Sequence, residues 1–277
     1  MRIGTGSDVE AVGVYRSDMT RGSACYRLVR YRDCLWLLCS RSLKVRYRRS
    51  VLGFGWSLLY PLGTMMVLTA VFSRVFPAVE HYAVYVIVGV LVWGFFSLAC
   101  VQAMDGLLGA SGVMRKVFVP AVLFPLSMIS ANFVNLLLSL LVLPLVVLLS
   151  GAAPGFHPLL LLEALACLFA FTTGLGLMLA AANLFFNDVR YFFEGSLLLW
   201  FYATPVVYPV EVLPERYRAL LVTNPFFWLL EMFRAPLLEG RAPESQVVAV
   251  SAVMSVGVLV VGWLVFGRLE KKFFLYL

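Results

Sequence analysis

Val117–Ser150 is a stretch of 34 residues without a single charged side chain. A helix needs roughly 20 apolar residues to cross about 30 Å of hydrocarbon, so this stretch is long enough to span a membrane. Pro120, Pro125 and Pro144 interrupt it, and we expect an entry segment, a kink and a span rather than one straight helix. Of all residues 62% are apolar and only 13% are charged, whereas soluble domains are about half apolar and a quarter charged. The sequence therefore predicts an all-α membrane protein.

Six apolar runs predict six transmembrane helices. In chain order the runs are Val51–Phe76, Tyr82–Met104, Val117–Ser150, His157–Phe186, Gly195–Val210 and Val247–Gly267. The fifth run has only 16 residues, and we expect its helix to include Tyr191–Glu194. The connection Glu211–Gln246 contains the apolar sequence NPFFWLLEMFRAPLL. About a dozen apolar residues cannot cross a bilayer, so the connection predicts short re-entrant outer helices between spans five and six.

The positive charges are concentrated at the N-terminus. Eleven of the 22 Lys and Arg residues lie in the first 50 positions, and five of them lie between Arg41 and Arg49, close to the first apolar run. With six spans both termini share one side, which holds 17 Lys and Arg against five on the other side. The positive-inside rule predicts that both termini are cytoplasmic. A nucleic-acid-binding tail is the alternative, but cations beside a span are read more economically as a topology signal, and we expect no nucleic-acid partner.

The chain divides into a polar N-terminal tail (1–25), a cytoplasmic amphipathic interface helix (26–50) and a six-span transmembrane domain (51–277). Leu28, Tyr31, Leu35 and Leu38 share one helical face, which favours a helix lying on the membrane surface. The residues after it predict a pivot into the membrane. This pivot consists of Arg46, Arg48, Arg49, Ser50 and Gly53.

Few residues offer chemistry. The sequence has no GxxxxGK[ST] loop, no HExxH, no GxSxG and no CxxC pair, so we expect no catalytic, cofactor or metal site in this chain. Glu163 is the only acid within a predicted span. Its alternatives are a proton relay or a contact at the membrane interface. The lack of further ionisable groups in the spans argues against an ion-driven carrier.

Aromatic side chains are frequent in the first, second and fifth runs. Trp56 and Tyr60 are four residues apart and share a helical face. One interpretation is an interfacial belt with lipid-facing packing. The other is a path for sugars, because flat aromatic faces allow sliding contact. The predicted path residues are Trp56, Tyr60, Phe95, Trp200, Tyr202 and Tyr208.

Five sequence segments in one order carry a family resemblance. They are KVRYRRSVLGFGWSLLYPL, MRKVFVPAVLFP, FFNDVRYFF, TPVVYP and NPFFWLLEMFRAPLLEG. The chain from about residue 26 to 277 resembles type-2 ABC exporter permeases, in the branch that exports polysaccharides and polyol phosphates, including O-antigen, capsule and teichoic-acid exporters.

The resemblance implies a homodimeric permease in the bacterial cytoplasmic membrane that works with two copies of a separate cytoplasmic ATPase. ATP and Mg would be used by that partner, and the cargo would be a lipid-linked polysaccharide such as O-antigen, a part of lipopolysaccharide. The implied ATPase-coupling residues are Met114, Arg115, Lys116, Phe118, Asp188 and Arg190. Two alternatives remain at this stage. One is a type-2 ABC permease for a small lipophilic drug or a lipid, and the other is a membrane enzyme or scaffold acting on lipid-linked sugars.

Overall fold

The chain forms helices connected by short irregular segments. A computed structural model describes residues 30–48, 50–53, 55–77, 79, 81–114, 119–151 and 158–273, and these ranges contain helices and no strand. The helices are α1 (Arg32–Tyr47), α2 (Gly55–Phe72), α3 (Tyr82–Gly109), α4 (Ser111–Met114), α5 (Leu123–Ser139), α6 (Leu143–Ser150), α7 (Pro158–Phe185), α8 (Asp188–Ala203), α9 (Glu215–Leu221), α10 (Pro225–Leu238) and α11 (Ser245–Glu270). The all-α prediction is confirmed. The predicted tail and residues 26–29 of the interface helix lie outside the described residues.

Five helical segments of the described chain are long and apolar enough to cross a bilayer. They are α2, α3, α7, α11 and the composite segment Leu123–Ser150. The remaining predicted span, the fifth in chain order, corresponds to α8, whose 16 residues give a length of about 24 Å at 1.5 Å per residue. This is less than the roughly 30 Å of a hydrocarbon core, so the total of six spans stays a prediction.

The bounds of the fifth predicted span are wrong at both ends. Its helix begins at Asp188, seven residues before Gly195, and ends at Ala203. The early start includes Tyr191–Glu194, as expected. Thr204 is extended, with ψ at 135°, because the residue before a proline is pushed out of the helical region.

Prolines account for the irregularities in two other spans. Pro144 is the second residue of α6, and a 3-10 segment at Leu140–Val142 separates α6 from α5. The predicted break in the third apolar run is therefore confirmed. Pro61 lies inside α2 and cannot donate to the carbonyl of Ser57. The hydroxyl of Ser139 donates to this carbonyl instead, at 3.1 Å.

The long helices alternate in direction around a buried pair, α3 and α7. Asp105 and Trp93 of α3 lie beside Arg190 and Trp200 of α8, so these two helices are antiparallel. Gln102 of α3 contacts Asn132 of α5, and Gly106 lies beside Met128 and Phe124, so α3 and α5 are also antiparallel. The carboxyl half of α3 contacts α1 and its amino half contacts α10. We call the two ends of the bundle the α1 end and the α10 end.

Glycines allow two close backbone approaches. A Cβ at Gly262 of α11 would meet the carbonyl oxygen of Gly174 in α7, so only glycine fits between these parallel helices. A Cβ at Gly89 of α3 would lie 2.6 Å from the carbonyl oxygen of Val206, in the segment that follows α8. These glycines set the spacing of α3, α7 and α11 and the position of the non-helical segment.

Helix α1 packs lengthwise against α5. Ser42 contacts the sulfur of Met128, and Arg46 contacts Asn132. In both pairs the residues are 86 positions apart in the sequence, so the two helices run in the same direction. Of the face predicted to contact the membrane, Tyr31, Leu35 and Leu38 are described and half buried, and Leu38 packs against the apolar core at the α1 end. The helix therefore turns this face toward the protein.

Candidate functional site

The non-helical segment Pro205–Tyr208 has its carbonyl groups bonded by side chains from neighbouring helices. The hydroxyl of Tyr82 donates to the carbonyl of Val207 at 2.7 Å. The hydroxyl of Tyr85 donates to the carbonyl of Tyr208, also at 2.7 Å. Irregular backbone inside a membrane protein requires such partners, because hydrocarbon provides none.

Arg234 of α10 supplies further donors to this segment, where the Tyr85 hydroxyl also donates to the Pro205 carbonyl at 3.2 Å. Its side chain is buried, with 3% exposure. Nη2 donates to the carbonyl oxygens of Pro205 and Val206 at 2.6 and 3.1 Å. The guanidinium carbon lies 3.8 Å from the centre of the Tyr85 ring, a cation–π contact.

Glu231, one turn before Arg234 on α10, lies 3.8 Å from its Nη1. Burial raises the pKa of the Glu231 carboxyl, and the neighbouring guanidinium opposes this shift. A carboxylate that still carries charge beside Arg234 partly neutralises a cation that would otherwise be costly to bury. The arginine thus fixes α10 against the break that follows α8.

Asn224 forms a second connection between α8 and α10. Its side-chain oxygen caps α10 by accepting from the Phe226 N–H at 3.0 Å. The same oxygen accepts from Nε1 of Trp200 at 2.9 Å, and the amide nitrogen donates to the hydroxyl of Thr204 at 2.8 Å. One side chain therefore holds the end of α8 beside the start of α10.

A cavity of about 500 Å³ lies between α1, α2, α3 and α5. Its polar lining includes a group of residues that we call the polar wall, namely Arg46, Tyr47, Gln102, Asn132 and Asn135. Arg46 Nη2 donates to the side-chain oxygens of Gln102 and Asn132. The amide of Asn132 donates to the oxygen of Gln102 at 2.9 Å, and the Tyr47 hydroxyl donates to Asn135 at 2.6 Å. These bonds fix the guanidinium against α3 and α5.

Three predicted path residues line the apolar part of this cavity. Trp56 and Tyr60 of α2 are 56% and 74% exposed, and Phe95 of α3 is buried behind them. Pro61 of α2 and Leu98 of α3 also line the cavity. This cavity therefore combines an exposed aromatic rim with a cationic, amide-rich end.

The other three predicted path residues lie elsewhere. Trp200 packs edge-on against Phe96 at 5.2 Å between ring centres, inside the core. Tyr202 is exposed on α8, and the Tyr208 hydroxyl donates to its carbonyl at 2.8 Å. The structure thus divides the predicted path into a group at the cavity and a group at the end of α8.

Three of the predicted coupling residues, Met114, Asp188 and Arg190, are described and lie at the α1 end, where α3 ends and α8 begins. Met114 is buried at the end of α4, whereas Arg115, Lys116 and Phe118 lie outside the described residues. Asp188 is exposed at the start of α8.

Arg190, the remaining predicted coupling residue, connects two helices. Its guanidinium is paired with Asp105 at the end of α3 and with Glu194 of α8. Its backbone N–H donates to the side chain of Asn183 in α7 at 3.2 Å. The start of α8 is therefore tied to the ends of α3 and α7.

The predicted pivot residues have different surroundings. Arg46 faces the cavity, and Arg48 is exposed at the end of α1. The Ser50 hydroxyl accepts from the N–H of Gly53 at 3.1 Å, and Gly53 has a φ of 47°, a left-handed turn suited to glycine. Arg49 lies outside the described residues.

Sequence reasoning missed the two most interconnected polar groups. Arg234 was counted only as one charge of a connecting segment, although an arginine within an apolar 14-residue helix is itself a signal. Asn132, Asn135 and Ser139 share one helical face within the uncharged run, which also marks a buried polar stripe.

Glu163 is exposed on α7. Among the described residues, no group of three or more His, Cys, Asp or Glu side chains could hold a metal ion.

Long apolar helices with internally bonded irregular backbone define a polytopic helical membrane protein. The chain belongs to the ABC-2 type transporter family, whose membrane domain matches residues 33–238. It is therefore a transporter permease.

Two relatives show the range of similarity. The O-antigen export system permease protein RfbA of Myxococcus xanthus is 31% identical over 249 residues, covering 89% of this chain and 96% of the relative. A permease protein of the same name from Klebsiella pneumoniae is 25% identical over 247 residues, covering 87% and 93%.

Proposed function

We propose that this chain is the transmembrane permease subunit of an ATP-driven exporter that moves a lipid-linked polysaccharide, such as O-antigen, across the bacterial cytoplasmic membrane. The observation that carries the proposal is the 31% identity to an O-antigen export permease over nearly its whole length. Both termini are cytoplasmic in this proposal, so the α1 end of the bundle faces the cytoplasm. Helix α10 is then a re-entrant helix on the outer side.

The energy for export comes from a separate ATPase in this proposal. Two copies of this ATPase bind a homodimer of the permease at its α1 end, and they use ATP and Mg. The segment from Met114 to Phe118 is the main contact, and Asp188 is the second. The ion pair between Arg190 and Asp105 supports a route from this contact to α8, because it joins the end of α3 to the start of α8.

The path for the polysaccharide lies between two permease copies. Helices α2 and α8 carry exposed aromatic and apolar side chains, among them Trp56 and Tyr60 on α2 and Tyr202 on α8. These faces offer surface on which a second copy packs. ATP-driven movement of the α1 end separates them and opens the path.

The test begins with co-purification. The tagged permease is expressed with a candidate ATPase from the same genome, and the recovered complex is assayed for ATP hydrolysis. A strain lacking the permease gene is then complemented, and polysaccharide at the cell surface is measured by immunoblot. Recovery of no ATPase, or normal surface polysaccharide in the deletion strain, would contradict the proposal.

A charge-reversal variant tests the coupling segment. Arg115→Glu combined with Lys116→Glu is expected to abolish export because it reverses the charge of the proposed ATPase contact. Arg216→Glu is the matched control, since this exposed cation lies in the predicted outer connection. Equal export by both variants would refute the assignment of the coupling segment.

A further inference from the structure

The polar wall of the 500 Å³ cavity is rich in hydrogen-bond donors that have no protein partner. The side-chain oxygens of Gln102, Asn132 and Asn135 all accept bonds from within the wall. By contrast, Nε and Nη1 of Arg46, Nε2 of Gln102 and Nδ2 of Asn135 have no hydrogen-bond partner among the described residues. What the wall still offers is therefore a set of N–H donors.

The guanidinium also has no counterion. No Asp or Glu lines the cavity, and Arg46 forms no ion pair within the described part of the chain. Two amide oxygens hold it in one orientation and leave its remaining donors on the cavity side. Nη2 belongs to both parallel N–H pairs of the guanidinium and is already used, so Nε and Nη1 each offer separate charge-assisted bonds to an oxyanion. A ligand for this wall must be an acceptor with negative charge.

The remainder of the cavity lining selects for hydrocarbon. Trp56 and Tyr60 are exposed at the rim, and Pro61, Leu98 and Phe95 continue the apolar surface inward. An anion alone would leave this apolar lining uncovered, whereas an amphiphile would contact both it and the polar wall. The volume lies within the range of small-molecule sites, roughly 300–1,000 Å³.

We propose that this cavity binds the phosphate group of an acidic lipid, with the phosphate on Arg46, Gln102 and Asn135 and the first part of the acyl or prenyl chain along Trp56 and Tyr60. The same chemistry has two sources, an anionic phospholipid of the bilayer or the lipid anchor of a cargo. The site requires only a chain embedded in a membrane, so it goes beyond the proposed export function and can fail or hold independently of it.

The test measures lipids retained by the purified permease–ATPase complex, or by the permease alone, using native mass spectrometry. The complex in neutral detergent is titrated with phosphatidylglycerol, phosphatidylcholine, a polyprenyl phosphate and inorganic pyrophosphate. We expect one anionic lipid per permease chain, retained in preference to phosphatidylcholine. Displacement of phosphatidylglycerol by polyprenyl phosphate indicates a cargo anchor, and its persistence indicates a bilayer lipid.

Two variants and one control make the test specific. Arg46→Gln removes the guanidinium and is expected to weaken anionic-lipid retention about tenfold or more, as for loss of a charge-assisted hydrogen bond. Arg48→Gln removes an equal charge from the exposed end of the same helix and is expected to retain the lipid. Gln102→Glu keeps a hydrogen-bond acceptor for Arg46, so the thermal stability is expected to be unchanged. The new carboxylate neutralises the guanidinium charge, so the retention of anionic lipid is expected to fall.

Three results would overturn the proposal. The first is equal retention of anionic and zwitterionic lipids by the wild-type chain. The second is equal loss in Arg48→Gln and Arg46→Gln. The third is competition by pyrophosphate as strong as that by lipid, which would mean that the apolar lining contributes nothing. Export measured in the same strains separates this outcome from a failure of the proposed function.

Discussion

Replacement of Arg234 by methionine is the most demanding test of the packing between α8 and α10. The variant keeps a long side chain but loses two charge-assisted bonds to the carbonyls of Pro205 and Val206 and the contact with the Tyr85 ring. It also leaves Glu231 without its cationic neighbour.

The expected loss follows from these contacts. A hydrogen bond to a charged group is worth about 1.5–3 kcal/mol in soluble proteins, but interhelical bonds within membranes average only about 0.6 kcal/mol. The cation–π contact adds about 0.5–2 kcal/mol. Removal of one member of a buried charged pair typically costs about 3–5 kcal/mol. We therefore expect Arg234→Met to lower the free energy of unfolding by about 3 kcal/mol.

Thermal denaturation of the detergent-purified protein measures this effect. For a chain of this size, about 3 kcal/mol corresponds to a decrease in Tm of about 6–12 °C. Arg241→Met is the matched control, because that side chain is 49% exposed and pairs only with Glu239. An exposed pair contributes less than about 1 kcal/mol. Arg234→Lys should fall between them, since an ammonium cannot stack on the ring and serve both carbonyls as a planar guanidinium does.

A Tm for Arg234→Met within about 2 °C of the Arg241→Met value would refute this reasoning. It would mean that the carbonyls of the broken segment find other donors without cost. The burial of the guanidinium would then have no energetic role.

Three further predictions use other contacts. Gly262→Leu should abolish recovery of folded protein in size-exclusion chromatography, because even a Cβ would meet the carbonyl of Gly174. Gly257→Leu on the same helix is the control and should be recovered normally, because its Cβ would meet open space. Asn224→Ala should lower stability by about 2 kcal/mol, from the loss of a helix cap and of the bonds to α8, measured as a decrease in Tm. Gly53→Ala should cost about 1–2 kcal/mol in the same assay through its left-handed φ of 47° alone, since nothing lies near its Cβ.

The long helices could be predicted from the apolar runs, because the thickness of the hydrocarbon core fixes how many consecutive apolar residues a span needs. A 3-10 segment at Leu140–Val142 lies directly before Pro144, one of the three prolines that predicted an irregular third span, because the missing N–H acts locally. The end of α8 could have been predicted from Pro205, since a proline excludes the helical region at the preceding residue. Features that depend on one residue and its neighbours were thus accessible from the sequence.

The polar contacts were not accessible, because they depend on residues that are distant in the chain. Arg234 is buried because a break 28 residues earlier exposes carbonyls that need donors. Arg46 was predicted as part of the pivot into the membrane, but its bond to Asn132 joins residues 86 positions apart. Counting charges on each side of a membrane treats every arginine as solvated. This assumption does not predict that Arg234 and Arg46 form bonds inside the protein.

The packing of α1 along α5 has a mechanical consequence. Side chains on successive turns of the two helices are bonded to each other, so a force applied to α1 displaces α5 with it as one lever. Helix α2 is joined to this lever through the turn at Gly53, and Met65 is its only buried residue among those described. The chain therefore places a left-handed turn between a stiff pair of helices and a helix that is mostly exposed in a single copy, so displacement of the pair reaches α2 through Gly53.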